Sequence, residues 1–276
     1  MEKLRICFVG TGSMGSAILH GLLASGYEKK LISATTKSEA SSFKLRELGI
    51  SALATDTSPD ANQLLVADAQ LIVLGVKPYQ INQVLNQISE EVNREAVVIS
   101  MAAGIELATI SQSLPNHKNL VRTMPNTPAL VGKGVTGLVG AASASKDAIE
   151  AASNLFRTVG EVVEVSESQI NALSAISGSG PAWIMYIVEQ WEKVAINQGF
   201  TAEQAATLVR STLVGSAELL ASSDEDPAVL RKNVTSPGGT TEKLIATLEE
   251  AELSKLFESS LEAAVKRARE IAASND

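Results

Sequence analysis

Leu4-Arg5-Ile6-Cys7-Phe8-Val9-Gly10-Thr11-Gly12-Ser13-Met14-Gly15 is the stretch that decides the fold. The apolar run from Leu4 to Val9 predicts a buried strand, and a glycine-rich turn follows it and opens a helical pattern. In that context the first glycine permits a tight turn, the second lets the backbone approach a pyrophosphate, and the third allows close helix packing. The sequence therefore predicts that a dinucleotide binds at Gly10, Thr11, Gly12, Ser13, Met14 and Gly15. A plain strand-to-helix turn is the alternative.

Short apolar runs alternate with amphipathic stretches over the rest of the N-terminal part. Strands are predicted at residues 4–9, 31–34, 71–76, 97–101, 120–123, 135–139 and 162–165, with helices at 14–24, 41–48, 81–88 and 105–114. This alternation predicts an α/β domain, Rossmann-like, with a doubly wound and mainly parallel sheet. Beyond residue 165 the pattern is helical almost throughout. We therefore expect a NAD(P)-binding domain at residues 1–166 and an all-α substrate-binding and dimerisation domain at residues 167–276.

Composition restricts the class of protein. The net charge of -8 argues against a nucleic-acid partner, which would usually demand a basic face. Cys7 is the only cysteine, which excludes an internal disulfide and fits a reducing compartment, and no metal site is predicted. No apolar signal region precedes the first strand and no apolar stretch approaches about 18 residues, so we expect a cytoplasmic protein that does not enter the membrane.

The helical half carries apolar residues on more than one face. Trp183, Met185, Tyr186 and Trp191 stand at near-helical spacing and are predicted to be core or dimer-contact residues. A helical domain of this kind needs a partner surface, so we expect a homo-oligomer.

The cofactor preference depends on residues about 20 positions beyond the glycine turn, where an acidic residue would bind the ribose 2′-hydroxyl of NAD. This sequence has Thr35, Thr36 and Lys37 there, and hydroxyls and a lysine can accept a 2′-phosphate that a carboxylate would repel. The sequence therefore favours NADP(H) as the cofactor, with NAD(H) as the alternative. The segments Gly75-Val76-Lys77-Pro78 and Ser100-Met101-Ala102-Ala103-Gly104 end two further strands and should border the cofactor.

A second turn, Thr235-Ser236-Pro237-Gly238-Gly239-Thr240-Thr241, precedes another helical pattern. The two glycines let the backbone take positive φ and turn its N–H groups into a concave nest, and the two threonines after them can cap the next helix. Such a turn predicts a site for a carboxylate, with a threonine hydroxyl left free to face the rest of the ligand. The pattern indicates a small substrate that resembles an amino acid.

Four segments, together with the glycine turn, resemble the pyrroline-5-carboxylate reductase family. They are Val76-Lys77-Pro78, Val121-Arg122-Thr123-Met124-Pro125-Asn126-Thr127-Pro128, Ser177-Gly178-Ser179-Gly180-Pro181-Ala182 and the run from Asn233 to Thr241. The resemblance extends from about Leu4 to Arg269. It implies NAD(P)H-dependent reduction of the C=N bond of 1-pyrroline-5-carboxylate to L-proline, the last step of proline biosynthesis, by a homodimer or a higher homo-oligomer.

The resemblance also implies the residues of the site. The cofactor contacts are the glycine turn, Val76, Lys77, Pro78, Ala102, Ala103 and Asn233, with Asn62 a match in a variable stretch. By this resemblance, the residues that bind the substrate carboxylate are Ser236, Gly238, Gly239 and Thr240. Thr241 contacts the ring nitrogen and is the candidate catalytic residue, and Glu167 lies near the substrate. A protonated imine accepts hydride without a strong general acid, so neither histidine is expected at the substrate.

Other functions fit parts of the pattern. The β-hydroxyacid dehydrogenase group has a lysine in a Gly-x-Gly-x-x-x-Lys run, where this chain has Ile184, which cannot move a proton. A reductase of other imines shares the expected chemistry. A non-catalytic NADP-sensing protein could keep the fold without the reaction, although the intact Ser236–Thr241 turn argues against it.

Overall fold

The computed structural model describes residues 3–273. Its strands are β1 (Ile6–Val9), β2 (Ile32–Thr36), β3 (Ser51–Ala54), β4 (Leu71–Leu74), β5 (Val97–Ser100), β6 (Leu120–Met124), β7 (Gly134–Gly140) and β8 (Gly160–Glu164). Its α-helices are α1 (Ser13–Ala24), α2 (Glu39–Glu47), α3 (Ala61–Val66), α4 (Ile81–Ile88), α5 (Leu107–Ser113), α6 (Lys146–Arg157), α7 (Ile170–Leu173), α8 (Gly180–Asn197), α9 (Ala202–Ala221), α10 (Pro227–Asn233), α11 (Thr240–Glu250) and α12 (Leu253–Ala273). A π-helical turn at Ser174–Gly178 follows α7.

The strands form one sheet in the order β3-β2-β1-β4-β5-β6-β7-β8. Neighbouring strands run parallel except for β6 and β7, which pair antiparallel. The order reverses between β1 and β4, whose carboxyl ends therefore flank the topological switch point where ligands bind in such sheets. The predicted doubly wound, mainly parallel sheet followed by helices is confirmed.

Alternate residues of the central strands point to opposite faces of the sheet, and both faces are buried. Ile6 and Phe8 of β1 pack in one apolar cluster with residues of α1 and α6, such as Leu19 and Phe156. Cys7 and Val9 pack in a second cluster with residues of α4. Because both faces are covered by helices, the strands read as continuous apolar runs, which is why the sequence showed them.

Three elements of this first part were missed by the sequence analysis: β3, α3 and α6. β3 reads Ser-Ala-Leu-Ala, without the β-branched residues that mark a strand, and it lies at the edge of the sheet. The helix α6 has a signal that could have been found, because the Ser145 hydroxyl caps it by accepting the N–H of Ala148 at 3.1 Å. The predicted strand at residues 71–76 is two residues too long, since β4 ends at Leu74.

The described chain divides into two compact units, residues 3–179 with 264–273, and residues 180–263. In the second unit α9 begins with a capping box, in which the Thr201 hydroxyl accepts the N–H of Gln204 and the Gln204 side chain accepts the N–H of Thr201. Trp183 and Phe257 meet edge to face with ring centroids 4.8 Å apart. Among the described helices, none is both long enough and apolar enough to cross a membrane.

Candidate active site

The glycine turn after β1 is held by the ends of two neighbouring strands. Gly10 has φ +78°, and a Cβ there would lie 2.4 Å from Cγ1 of Val76, so the position requires glycine for both conformation and space. The N–H of Gly10 donates to the Thr35 hydroxyl at 3.0 Å, and the N–H of Thr11 donates to the Thr35 carbonyl at 2.8 Å. The turn is therefore fixed at the switch point by β2 and β4.

The N-terminus of α1 fits a phosphate group. Gly12 is its N-cap residue, makes no side-chain cap, and is followed by no acidic residue in the first turn. Apart from Gly12 and its two chain neighbours, no atom of the described residues lies within 4 Å of the point where a Cβ of Gly12 would be. Since the first N–H groups of a helix have no partner within the helix, an anion can approach them over Gly12.

The three residues predicted to meet the 2′-phosphate differ in exposure. Thr35 and Thr36 are buried, and the Thr36 hydroxyl contacts the Ser38 carbonyl at 2.9 Å and the Ser42 hydroxyl at 2.7 Å. Lys37 is exposed at the same end of β2. The hydroxyls of Ser38 and Ser41 lie 3.0 Å apart at the start of α2. Lys37 is therefore the accessible cation at this end of β2.

The carboxyl ends of β4 and β5 lie at the same edge of the sheet as the glycine turn. Lys77 is exposed and Pro78 begins the 3-10 turn Pro78–Gln80. Ala102 is buried with its N–H 3.3 Å from the Ser100 hydroxyl, while Ala103 is exposed. Lys77, Pro78, Ala102 and Ala103 thus follow strand ends that the sheet brings together.

Asn62 is a buried polar residue at the start of α3, with 5% of its surface exposed. Its Nδ2 donates to Oε1 of Gln87 at 2.9 Å. Its Oδ1 is buried and has no hydrogen-bond partner among the described residues. A buried acceptor without a donor fits a residue that accepts a hydrogen bond from a ligand, and the family resemblance implies a cofactor contact for Asn62.

The second turn differs from the expectation in its helix cap. Gly238 takes positive φ, at +72°, whereas Gly239 has φ −82° and serves as the N-cap residue of α11. Positive φ is therefore found at Gly238 and not at Gly239, and a Cβ at Gly239 would lie 3.0 Å from the Ser236 carbonyl oxygen. The expected threonine caps are wrong, since Thr240 and Thr241 are the first two residues of the helix.

The N–H groups of the turn are partly used within the chain. Gly239 donates to the Ser236 carbonyl at 2.9 Å, and Gly238 donates to Oε2 of Glu242 at 2.6 Å. The N–H groups of the first turn of α11 have no acceptor within the helix. A carboxylate of the chain itself, that of Glu242, therefore lies at one of the amides of this turn. Asn233, at the end of α10, belongs to the same unit, and its Nδ2 lies 3.5 Å from Oε2 of Glu225.

Glu167 belongs to the first unit and is engaged by two donors. Its Oε1 accepts from the Arg122 guanidinium at 2.7 Å and from the N–H of Leu107 at 3.1 Å. Arg122 is buried, with 3% of its side chain exposed, and Oε2 of Glu167 is buried without a hydrogen-bond partner in the described residues. The pair joins the middle of β6 to the segment before α7. Glu167 thus has a structural role in holding Arg122, and its contact with substrate stays a prediction.

The other titratable candidates lie away from these turns. His117 is buried with Nε2 2.6 Å from the Ala96 carbonyl, and burial lowers its pKa. His20 is exposed on α1. Burial raises the pKa of the Cys7 thiol to about 12, so the thiol stays protonated and inert.

Comparison with known proteins adds relatives over the whole length of the chain. A family model described as pyrroline-5-carboxylate reductase dimerisation matches residues 167–271, and one described as NADP oxidoreductase coenzyme F420-dependent matches residues 5–104. The chain is 38% identical over 274 residues to a pyrroline-5-carboxylate reductase of Vibrio alginolyticus, covering 98% of each sequence. The chain belongs to the pyrroline-5-carboxylate reductase family.

Solved structures of the pyrroline-5-carboxylate reductase family share the fold. The reductase of Coxiella burnetii is 36% identical, with a TM-score of 0.92 over 98% of this chain and 99% of that one. The reductase of Plasmodium falciparum, solved with NADP bound, is 26% identical, with a TM-score of 0.83 over 99% of each chain. The family and the fold implied by the sequence motifs are therefore confirmed.

Proposed function

We propose that this chain reduces the C=N bond of 1-pyrroline-5-carboxylate to L-proline with NADPH, in the last step of proline biosynthesis. The observation that carries the proposal is the turn from Ser236 to Thr241, with Gly238 at positive φ before the N-terminus of α11. That turn suits a small carboxylate, and it follows a dinucleotide-binding unit in a chain of this family.

The cofactor that fits the first unit is NADP(H), and it supplies the hydride when bound. We assign the pyrophosphate to the N-terminus of α1, because Gly12 leaves space there and the first turn of α1 carries no acidic residue. We assign the 2′-phosphate to Lys37, with Thr35 and Thr36 shaping the end of β2. The remaining proposed contacts are Gly10, Thr11, Ser13, Met14, Gly15, Asn62, Val76, Lys77, Pro78, Ala102, Ala103 and Asn233.

The substrate carboxylate is assigned to the backbone N–H groups of the Ser236–Thr241 turn, namely those of Gly238, Gly239 and Thr240 with Ser236 beside them. Holding the carboxylate orients the ring, which is the larger part of the catalytic task for a protonated imine. The Thr241 hydroxyl is assigned to the ring nitrogen, where it orients the imine and stabilises the amine that forms. Glu167 is proposed near the substrate.

We propose that the active form is a homodimer or a higher homo-oligomer of this chain. Within residues 180–263, only Ala205 and Val209 are buried, whereas Trp183, Met185, Tyr186 and Trp191 are each more than 40% exposed in the single chain. So much exposed apolar surface on helices supports a second copy as its cover. The division into residues 1–166 and 167–276 and the cytoplasmic location are proposed as the sequence predicted them. The oligomer is tested by light scattering of the purified chain.

The activity is tested with the full purified chain, NADPH and 1-pyrroline-5-carboxylate, by following the loss of nicotinamide absorbance and the appearance of L-proline. We expect turnover with NADPH, and a lower kcat/KM with NADH. No loss of absorbance, with NADPH binding retained, would refute the reductase and favour an NADP-sensing protein.

A further inference from the structure

The carboxylate of Glu242 lies on the amide that the proposed function assigns to substrate. Glu242 is the third residue of α11, and its Oε2 accepts the N–H of Gly238 at 2.6 Å. The other glycine amide, that of Gly239, donates to the Ser236 carbonyl. Of the two glycine amides, the N–H of Gly238 is thus the one that does not donate to a backbone carbonyl of the turn. It donates instead to the carboxylate of Glu242.

Helix capping explains why a glutamate lies here, but only in part. In a capping box the third residue of a helix reaches back to the N–H of the N-cap residue. Here the N-cap is Gly239, whose N–H is already used, and Glu242 reaches one residue further, to Gly238. A glutamate in the first turn also gains from the helix dipole. The same amide and the same dipole attract any other carboxylate, and two carboxylates cannot share one N–H donor.

We propose that Glu242 is an internal occupant of the substrate carboxylate site, defined as the N–H of Gly238 with the first-turn N–H groups of α11, and that substrate must displace it. The proposal rests on the proposed function. Glu242 is exposed, so its side chain can rotate into solvent when the substrate arrives. The apparent affinity for substrate equals the intrinsic affinity multiplied by the fraction of molecules in which Glu242 has left the site.

Glu242→Gln removes the charge and keeps the size of the side chain. We expect the KM for 1-pyrroline-5-carboxylate to fall about two- to fivefold, which is the effect of one charge at a helix N-terminus, with kcat and the KM for NADPH unchanged. The control Glu250→Gln makes the same change of net charge at the other end of α11 and should leave the KM unchanged. A rise in KM or a fall in kcat for Glu242→Gln would overturn the proposal and make Glu242 an aid to the reaction.

A substrate without a carboxylate isolates the competition. The unsubstituted ring 1-pyrroline has the same imine but no carboxylate that could accept the N–H of Gly238. Its kcat/KM should be the same in wild type and in Glu242→Gln, so the variant raises the preference for the carboxylated ring. Equal gains with both rings would overturn the proposal, because they would show a general effect on the site.

A direct measurement of the contact separates this proposal from the proposed function. Of the 8 prolines, Pro237 alone is followed by glycine, so ¹³C-carbonyl proline with ¹⁵N-glycine labels the Gly238 amide uniquely. In the ligand-free chain Glu242→Ala should shift this proton upfield, and L-proline should move the same signal in wild type. A signal that ignores either change overturns the proposal. An inactive enzyme whose signal responds to both refutes the reductase function and leaves the competition at this site standing.

Discussion

Replacing Gly12 by alanine separates the stability of the glycine turn from its capacity to hold a phosphate. Gly12 has φ −85°, which any residue adopts, and within residues 3–273 a Cβ there would meet no atom within 4 Å beyond its chain neighbours. Alanine is a poorer N-cap than glycine but reduces the entropy of the unfolded chain, and the two effects oppose each other. We therefore expect the free energy of unfolding without cofactor to change by less than about 1 kcal/mol.

The effect on the cofactor should be much larger. The added methyl group occupies the space through which a pyrophosphate reaches the N–H groups of α1, and each hydrogen bond to a charged group contributes about 1.5–3 kcal/mol. Losing one such bond weakens NADPH binding roughly tenfold to a hundredfold. At an NADPH concentration of about 1,000 times the wild-type Kd, a hundredfold weaker Kd reduces the stabilisation by cofactor from about 4.1 to about 1.4 kcal/mol.

The assay is urea unfolding at a fixed chain concentration, with and without NADPH, beside a fluorescence titration of NADPH. Gly10→Ala is the matched control, because its positive φ and the 2.4 Å approach to Val76 should reduce the stability by about 2–4 kcal/mol even without cofactor. Wild-type NADPH affinity in Gly12→Ala would refute the reasoning. So would a loss of more than 2 kcal/mol without cofactor, which would give Gly12 a structural role instead.

In steady-state assays, Thr241→Ala should lower kcat roughly tenfold to a hundredfold and leave the affinity for NADPH unchanged. Thr240→Ala keeps the backbone N–H of residue 240, so its kcat should stay near that of the wild type. Equal rates for the two variants would contradict the role of Thr241. Glu167→Gln should reduce the unfolding free energy by about 2–4 kcal/mol in urea, because Arg122 is 3% exposed and loses its carboxylate partner, and a change below 0.5 kcal/mol would contradict this. Between pH 8 and 10 the wild type should lose about 1.4 kcal/mol more stability than Cys7→Ala, because the folded thiol, with its pKa near 12, keeps a proton that the unfolded thiol releases above about pH 9. The stabilisation is thus complete below pH 9 and lost as the pH rises, and equal losses in both proteins would contradict it.

The fold was largely predictable because its signals are local. A strand buried on both faces must be apolar at every position, and a turn over a phosphate must use glycine, so β1 and the turn that follows could be read directly. The helix α4 was predicted at its observed bounds, since its apolar spacing is regular. The edge strand β3 was missed because alanine and serine carry no strand signal.

The backbone of the two predicted turns was easier to foresee than their contacts. The sequence marked Gly10 as a position that needs glycine, and its positive φ and close approach to Val76 agree with that, while the carboxylate site at Ser236–Thr241 stays a prediction. It could not tell that Gly238 rather than Gly239 takes positive φ, because glycine allows that conformation at both positions.

By itself the sequence determined the doubly wound sheet, the family and the two glycine turns, because periodicity and backbone freedom are properties of neighbouring residues. Tertiary structure alone decided which donor meets which acceptor. The Thr35 hydroxyl holds Gly10 across 25 positions of sequence, and the Glu167 carboxylate meets Arg122 across 45. The physical reason is that leaving a buried polar group unpaired costs free energy, and the partner it finds is whichever group the folded chain brings within about 3 Å.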